Sequence, residues 1–319
     1  TVSCTILHLN HLLQLSGNRY LSFYFTVMEA FMNPSPLRYP GGKYKLYNYV
    51  SRLIKENGCT TYIEPFCGGA AVALELLFNG LVNRIILNDY DFTIFCFWES
   101  ILYRTDEFIQ LVTNTEVTID EWHRQKAIRD NLSNYSNLEI GFSTFFLNRT
   151  NRSGIIDKAG PIGGLEQTGE YLIDCRFNKL RLIRQIERIV AHREKISIYN
   201  LEALDFIENI IINKRKTFTF FDPPYYSKGP GLYKNFYSHG DHVNLANMIL
   251  DRLKNRMWIV TYDNINAIKA MYSNVCNIEF KLNYSLQKKR SASEVMFYSR
   301  KLQRPKNEEE YLTILFNGA

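Results

Sequence analysis

The chain has no paired cysteines of the CxxC type. Its six cysteines, Cys4, Cys59, Cys67, Cys96, Cys175 and Cys276, are scattered and have no histidine cluster beside them. That spacing argues against a zinc site and against a disulfide framework, and fits reduced thiols in a cytosolic protein. A GxGxxG run and a GK[ST] loop are also missing, which disfavours a phosphate ligand. There is no internal repeat and no low-complexity stretch. Residues 1–31 have little basic charge, Arg19 alone, and no stretch approaching about 18 apolar residues, so they make a poor membrane span. They also lack the charged start and small-residue cleavage site of a signal peptide. This segment is expected to be an extension outside the domain, non-native or from a misassigned start, with natural starts at Met28 or Met32. An accessory strand or helix packed on the domain is the alternative.

What is present is globular. Of 319 residues, 46% are apolar and 22% charged, enough for one large domain or one domain carrying an insertion. The net charge of +6 permits a nucleic-acid partner without requiring one.

Periodicity sets the organisation. Leu46, Tyr49, Val50, Leu53 and Ile54 make a helical face that ends at Gly58. "TTYIEPF", "AAVALELLFNG", "NRIILND" and "FTIFCFWESILYR" then read strand, helix, strand, helix, the rhythm of a parallel sheet with crossovers. From about 105 to 196 the rhythm breaks into helical pieces and a glycine-rich loop. It resumes with the strands "KISIYN", "TFTFFD" and "RMWIVTYD", and closes on "NIEFKLNYSL" and "SEVMFYS", which look like an antiparallel pair. The reading is one α/β sheet domain with an insertion of roughly 90 residues.

Three stretches carry chemistry. In "YIEPFCGGAAV" a strand meets a glycine turn and a helix start, where Gly68 and Gly69 let backbone approach a ligand. Asp89 lies 21 residues beyond Gly68, at the end of the next strand, where an acid grips ribose hydroxyls in dinucleotide folds. In "LEALDFI", Asp205 and Phe206 could flank a purine, although taken alone an ordinary helix start explains such a pair better. In "FFDPPYYSKGPG", Asp222 falls at a strand's C-terminal end, followed by a carbonyl that no proline N–H can engage and by the ring of Tyr225. Two acceptors and a ring suit an exocyclic amine on adenine or cytosine. They draw the nitrogen towards tetrahedral geometry and offset the charge that grows during methyl transfer. A sulfonium donor carries its own activation and requires no metal.

In this order "RYPGGK", "EPFCGGA", "NDYD", "LDFI", "DPPY" and "SEVMFYS" resemble the Dam-type, alpha-group adenine-specific DNA methyltransferases, from about Pro34 to Leu302. The resemblance implies a Rossmann-like S-adenosylmethionine methyltransferase sheet with an inserted, mainly helical target-recognition domain. It places the catalytic domain at 32–104 and 196–302, the insertion at 105–195 and a C-terminal tail at 303–319. It implies S-adenosyl-L-methionine as cofactor and double-stranded DNA as partner, and a cytoplasmic, DNA-associated enzyme acting as a monomer without metal or membrane. Carried over by position, Tyr39 and Lys43 would meet the amino-acid end of the cofactor. Phe66 and Gly68 would line its pocket, Asp89 its ribose, and Asp205 and Phe206 its adenine. Asp222, Pro223 and Tyr225 would take the target adenine, with Asp222 also bordering the cofactor. The chain departs from the pattern at Ala70, where a second glycine is common, and at Tyr39, where tryptophan is frequent.

Between Phe146 and Lys195 ten Lys or Arg face six Asp or Glu. Arg149 and Arg152 in "LNRTNRSGI", and Lys288, Lys289 and Arg290 in the loop between the last strands, are the expected DNA contacts. A duplex base must flip out to reach such a pocket, and the glycine-punctuated stretch after DPPY, with Phe236 or Tyr237, suits a segment closing over it. His239 and His242 read as structural. The rival readings are cytosine N4 methylation, RNA or protein-glutamine methylation, and a catalytically dead DNA-binding module. Asp rather than Ser before the prolines argues against cytosine, and intact Asp222, Lys43 and Asp89 argue against the dead module.

Overall fold

Neighbouring residues of a strand point to opposite faces of its sheet, so a strand apolar on both faces must be covered on both. Such strands include β1 (Thr61–Glu64), β2 (Arg84–Asn88), β4 (Thr217–Phe221) and β5 (Met257–Asp263). In β2, Ile85 and Leu87 enter one core while Ile86 enters the other. In β5, Ile259 faces the first core, and Trp258, Val260 and Tyr262 face the second. The computed structural model describes residues 33–38, 43–227, 237–284 and 290–314, with the backbone alone at 282–284, 290–292 and 314.

With β3 (Ile196–Tyr199), β6 (Asn277–Tyr284), β7 (Arg290–Tyr298) and β8 (Thr313–Ile314), the described residues form a sheet of eight strands in the order β3-β2-β1-β4-β5-β7-β6-β8. The first five in that order run parallel; β7, β6 and β8 are antiparallel. The parallel part follows the strand and helix rhythm of the sequence, and the whole is the Rossmann-like sheet that the family resemblance implied. The closing pair does form, but β7 lies against β5 and leaves β6 outside, an arrangement that the strand signals alone do not specify. Beyond Leu302 the chain joins the fold: β8 pairs with β6, and buried Glu308 accepts a hydrogen bond from the phenol of Tyr49.

Helices α1 (Tyr47–Asn57), α2 (Ala71–Phe78) and α3 (Phe92–Tyr103) cover the first face. Between β2 and β3 the chain adds α4 (Thr105–Asn114), α5 (Ile119–Asp130), α6 (Asn137–Thr150) and α7 (Lys179–Val190). Helices α8 (Ala203–Asn209), α9 (His239–Arg252) and α10 (Asn266–Met271) accompany the second core. The inserted helices share the first core with the sheet. Phe97 of α3 stacks on Phe145 of α6 at 5.9 Å and meets Phe108 of α4 edge-on, and 35–319 forms one compact unit.

From β1 the chain moves outward through β2 to β3, then returns to place β4 on the other side of β1. The strand order therefore reverses between β1 and β4, and a crevice opens at their C-terminal ends. Open α/β sheets bind their ligands at this position.

Candidate active site

The turn leaving β1 is built from backbone constraint. Gly68 lies at φ +44° and Ala70 at φ +47°, both in the left-handed region. Glycine enters that region freely, whereas a residue with a Cβ pays about 1–2 kcal/mol. Ala70 is held there by its N–H, which donates to the Cys67 carbonyl at 2.6 Å, and the Gly68 carbonyl accepts from Trp98 Nε1 at 2.9 Å. Helix α2 starts directly from this turn, at Ala71.

Asp89, just past β2, clamps the turn from outside. Its Oδ2 accepts from the Gly68 N–H at 2.8 Å and its Oδ1 from the Asp91 N–H at 3.0 Å. Burial, aided by the Asp91 charge, raises its pKa to about 7. Asn88, fully buried, knots three strand ends together: its amide donates to the carbonyls of Pro65 and Leu201 and accepts from the Leu201 N–H. Past β3, Glu202 caps α8 through the Leu204 N–H and is hydrogen-bonded to Tyr237. The Tyr237 ring meets Phe66 edge-on at 5.9 Å. Phe66, Asp89, Glu202 and Tyr237 thus gather on one side of the crevice.

On the other side, β4 delivers Asp222. Its Oδ1 accepts from Thr261 Oγ1 of β5 at 2.7 Å and pairs with Lys43 Nζ at 3.0 Å. Lys43, whose side chain is only 4% exposed, also donates to the Tyr225 hydroxyl at 2.9 Å and lies 3.5 Å from Glu294 Oε2. The Tyr225 hydroxyl donates to Glu294 Oε1 at 2.6 Å. Glu64, at the end of β1, accepts from the Tyr62 phenol at 2.9 Å, and burial together with the Asp222 charge raises its pKa to about 8. Burial also raises the pKa of Asp222, with Lys43 opposing the shift and Glu294 adding to it. Two carboxylates, Asp222 and Glu294, therefore converge on Lys43, and the Glu64 carboxyl lies within reach of the Asp222 charge. Such a crevice favours a cationic ligand and a reaction that builds positive charge.

Glu64, Glu294 and Thr261 were not singled out in the sequence. Glu64 and Glu294 left one trace there: each is an acid directly beside an apolar run, Tyr62–Ile63 and Val295–Tyr298, a costly placement next to a core.

The other expected residues fall in different places. The structure brings Lys43 to Asp222 and Tyr225, so its ammonium belongs to the acid cluster. Phe206 has no exposed surface and packs in the second core, while Asp205 stands exposed on α8. The ring of Phe206 is therefore not presented to a purine. Arg149, expected at phosphates, is 3% exposed; its Nε donates to the Arg176 carbonyl at 2.8 Å and its Nη1 to that of Pro36. Burial, with Arg181, Arg38 and Arg176 nearby, lowers its pKa to about 9. This arginine ties two loops together and offers no surface to DNA. Arg152 is exposed, its Nε reaching the Pro161 carbonyl. Tyr39, Phe236, Lys288 and Lys289 lie outside the described residues, as does the side chain of Arg290. His242 is buried against the Tyr262 hydroxyl, and His239 meets that of Tyr226. Among the described residues no group of three His, Cys, Asp or Glu could hold a metal ion, and no helix is long and apolar enough to cross a membrane.

A sheet of this order, parallel on one side, closed by an antiparallel pair and with acids at its switch point, defines a Rossmann-like fold. The chain belongs to the D12 class N6 adenine-specific DNA methyltransferase family, whose model it matches over residues 39–291. It is 26% identical over 270 residues to the modification methylase StsI of Streptococcus sanguinis, a match covering 79% of this chain and 37% of that protein. The chain thus spans little more than a third of that relative's length. It is 23% identical to the type II methyltransferase M.MjaIII of Methanocaldococcus jannaschii, over 76% of this chain and 85% of the relative. Among solved structures it is similar to the rRNA methyltransferase aviRa of Streptomyces viridochromogenes, at a TM-score of 0.37 and 13% identity over 82% of this chain and 87% of the other, a likeness too slight to bear on fold or function.

Proposed function

We propose that the chain transfers a methyl group from S-adenosyl-L-methionine to the N6 amine of an adenine flipped out of duplex DNA. The observation that carries this reading is the setting of Asp222. Thr261 and Lys43 both engage Oδ1, so Oδ2 is left to accept from an amine. The Pro223 carbonyl supplies the second acceptor and Tyr225 the ring against which the base stacks.

The donor set fits the cofactor. A ligand bearing a sulfonium and an ammonium suits a crevice holding Glu64, Asp222 and Glu294. When bound, it supplies a methyl group already activated on sulfur. Phe66, Gly68 and Asp89 would border its nucleoside, with Glu202 and Tyr237 at the corner where Asp205 and Phe206 were expected. Asp222 holds the amine and offsets the charge growing on its nitrogen. Its raised pKa suits it to hold the proton that the nitrogen sheds. Arg152 and the 288–290 loop would bind backbone phosphates, and the enzyme would act as a monomer.

The test is tritiated-methyl incorporation into unmethylated genomic DNA, followed by nucleoside analysis and long-read sequencing. Label in N6-methyladenine at a fixed sequence is expected. Label in cytosine, or none, overturns the reading.

A further inference from the structure

Beyond the negative charge it lends the crevice, Glu294 has no role in the chemistry outlined above, yet it is the most completely buried acid of the site, its side chain 1% exposed. Burying a carboxylate is costly, and Lys43, the cation beside it, is shared with Asp222. A core position on β7 opposite Asp263 would be filled more stably by an apolar side chain. What the acid accomplishes there is local. Its Oε1 accepts the Tyr225 phenol at 2.6 Å, and its Oε2 lies 3.5 Å from the same Lys43 that donates to that phenol at 2.9 Å and sits 4.8 Å from the ring centroid.

Tyr225 needs such an anchor. Two prolines stiffen the backbone before it, but they do not set its side-chain torsions. A ring meant to carry a base on its face must be held at both ends. The Cα is held through Asp222-Pro-Pro, and the hydroxyl through Glu294, on a strand that hydrogen-bonds to β5, the strand carrying Thr261.

We infer that Glu294 is a positioning residue for methyl transfer: it fixes the orientation of the Tyr225 ring relative to Asp222 through the phenolic hydroxyl, before a target base arrives. This rests on the function proposed above. Glu294 acts through Tyr225.

The experiment is a double-mutant cycle of Glu294→Ala and Tyr225→Phe, with Glu294→Gln as the conservative variant. All are assayed for kcat and KM on unmethylated genomic DNA and checked by thermal melting. Each single variant should lose about 10- to 100-fold in kcat, the scale of one hydrogen bond to a charged group, with KM for DNA within about threefold. The double variant should be no slower than the worse single one, because both remove the same bond. Glu294→Gln, whose amide oxygen still accepts from the phenol, should recover at least about tenfold of the alanine loss. Multiplying losses in the double variant, or no recovery by glutamine, would overturn the inference, as would a lowered melting temperature with kcat within threefold of wild type. A wild-type chain that leaves DNA unmethylated would overturn both this and the function it rests on; an active wild type with independent losses would overturn this alone.

Discussion

Replacing Asp222 by asparagine should separate catalysis from stability with opposite signs. The side chain keeps its shape and an oxygen for Thr261, and loses its charge. At an effective dielectric of about 20, Lys43 at 3.0 Å attracts that charge by roughly 5 kcal/mol before any desolvation is counted. Yet the pKa of Asp222 is raised, so burial and the Glu294 carboxylate together outweigh Lys43. The sign follows. A carboxyl whose folded pKa lies above its unfolded value binds its proton more tightly in the folded state. Its ionised form therefore destabilises the fold once the pH passes the unfolded value. A neutral asparagine should then melt no lower than wild type at pH 8. The methyl-transfer rate should nevertheless fall by at least about 10²-fold, or about 2.7 kcal/mol, the usual cost of removing one preorganised partner of a developing charge. The assay is single-turnover methyl incorporation beside a thermal melt at pH 8. A variant that melts several degrees lower makes Asp222 a structural carboxylate. One that keeps its rate within tenfold removes it from the chemistry.

Arg149→Met should lose about 1.5–3 kcal/mol of stability by releasing the Arg176 and Pro36 carbonyls, with no change in the salt dependence of DNA binding; Arg152→Ala should leave stability within about 0.5 kcal/mol and flatten the salt slope by about one. A flattened slope for the methionine variant would return Arg149 to the DNA contacts. Gly68→Ala, at φ +44°, should destabilise by about 1–2 kcal/mol and weaken the cofactor; an unchanged melt and affinity by calorimetry would show that the turn relaxes freely. Glu64, with a folded pKa of about 8 against an unfolded value of about 4.3, is protonated at pH 7 and faces Tyr62, Asp222 and the Ala73 N–H. Its contribution to stability should decline as pH climbs from about 4 to about 8, and a cationic cofactor should expel its proton. Calorimetry at pH 7 in two buffers of different ionisation enthalpy should then report proton release, and identical heats would refute it.

The strands, the glycine turn and the acid at each strand end were legible because they are local. Alternation of apolar residues, a φ that favours glycine and a proline pair each leave their mark within a few residues of where they act. Asp222, Asp89 and Gly68 could therefore be placed at the crevice from sequence and strand order alone. Position along a strand does not say which strand lies beside it. Only the tertiary pairing of β7 with β5 brought Glu294 to Tyr225, 69 residues away, and turned Lys43 into the cation shared by two carboxylates. Burial was equally invisible. Arg149 and Arg152 sit three residues apart in one basic stretch, and the packing of α6 against the 176–178 segment put one inside and left the other in water. Phe206 was drawn from the purine to the core for the same reason: a ring gains more by leaving water than by waiting at a surface, and which of two adjacent residues does so is decided by the helix face that meets the sheet.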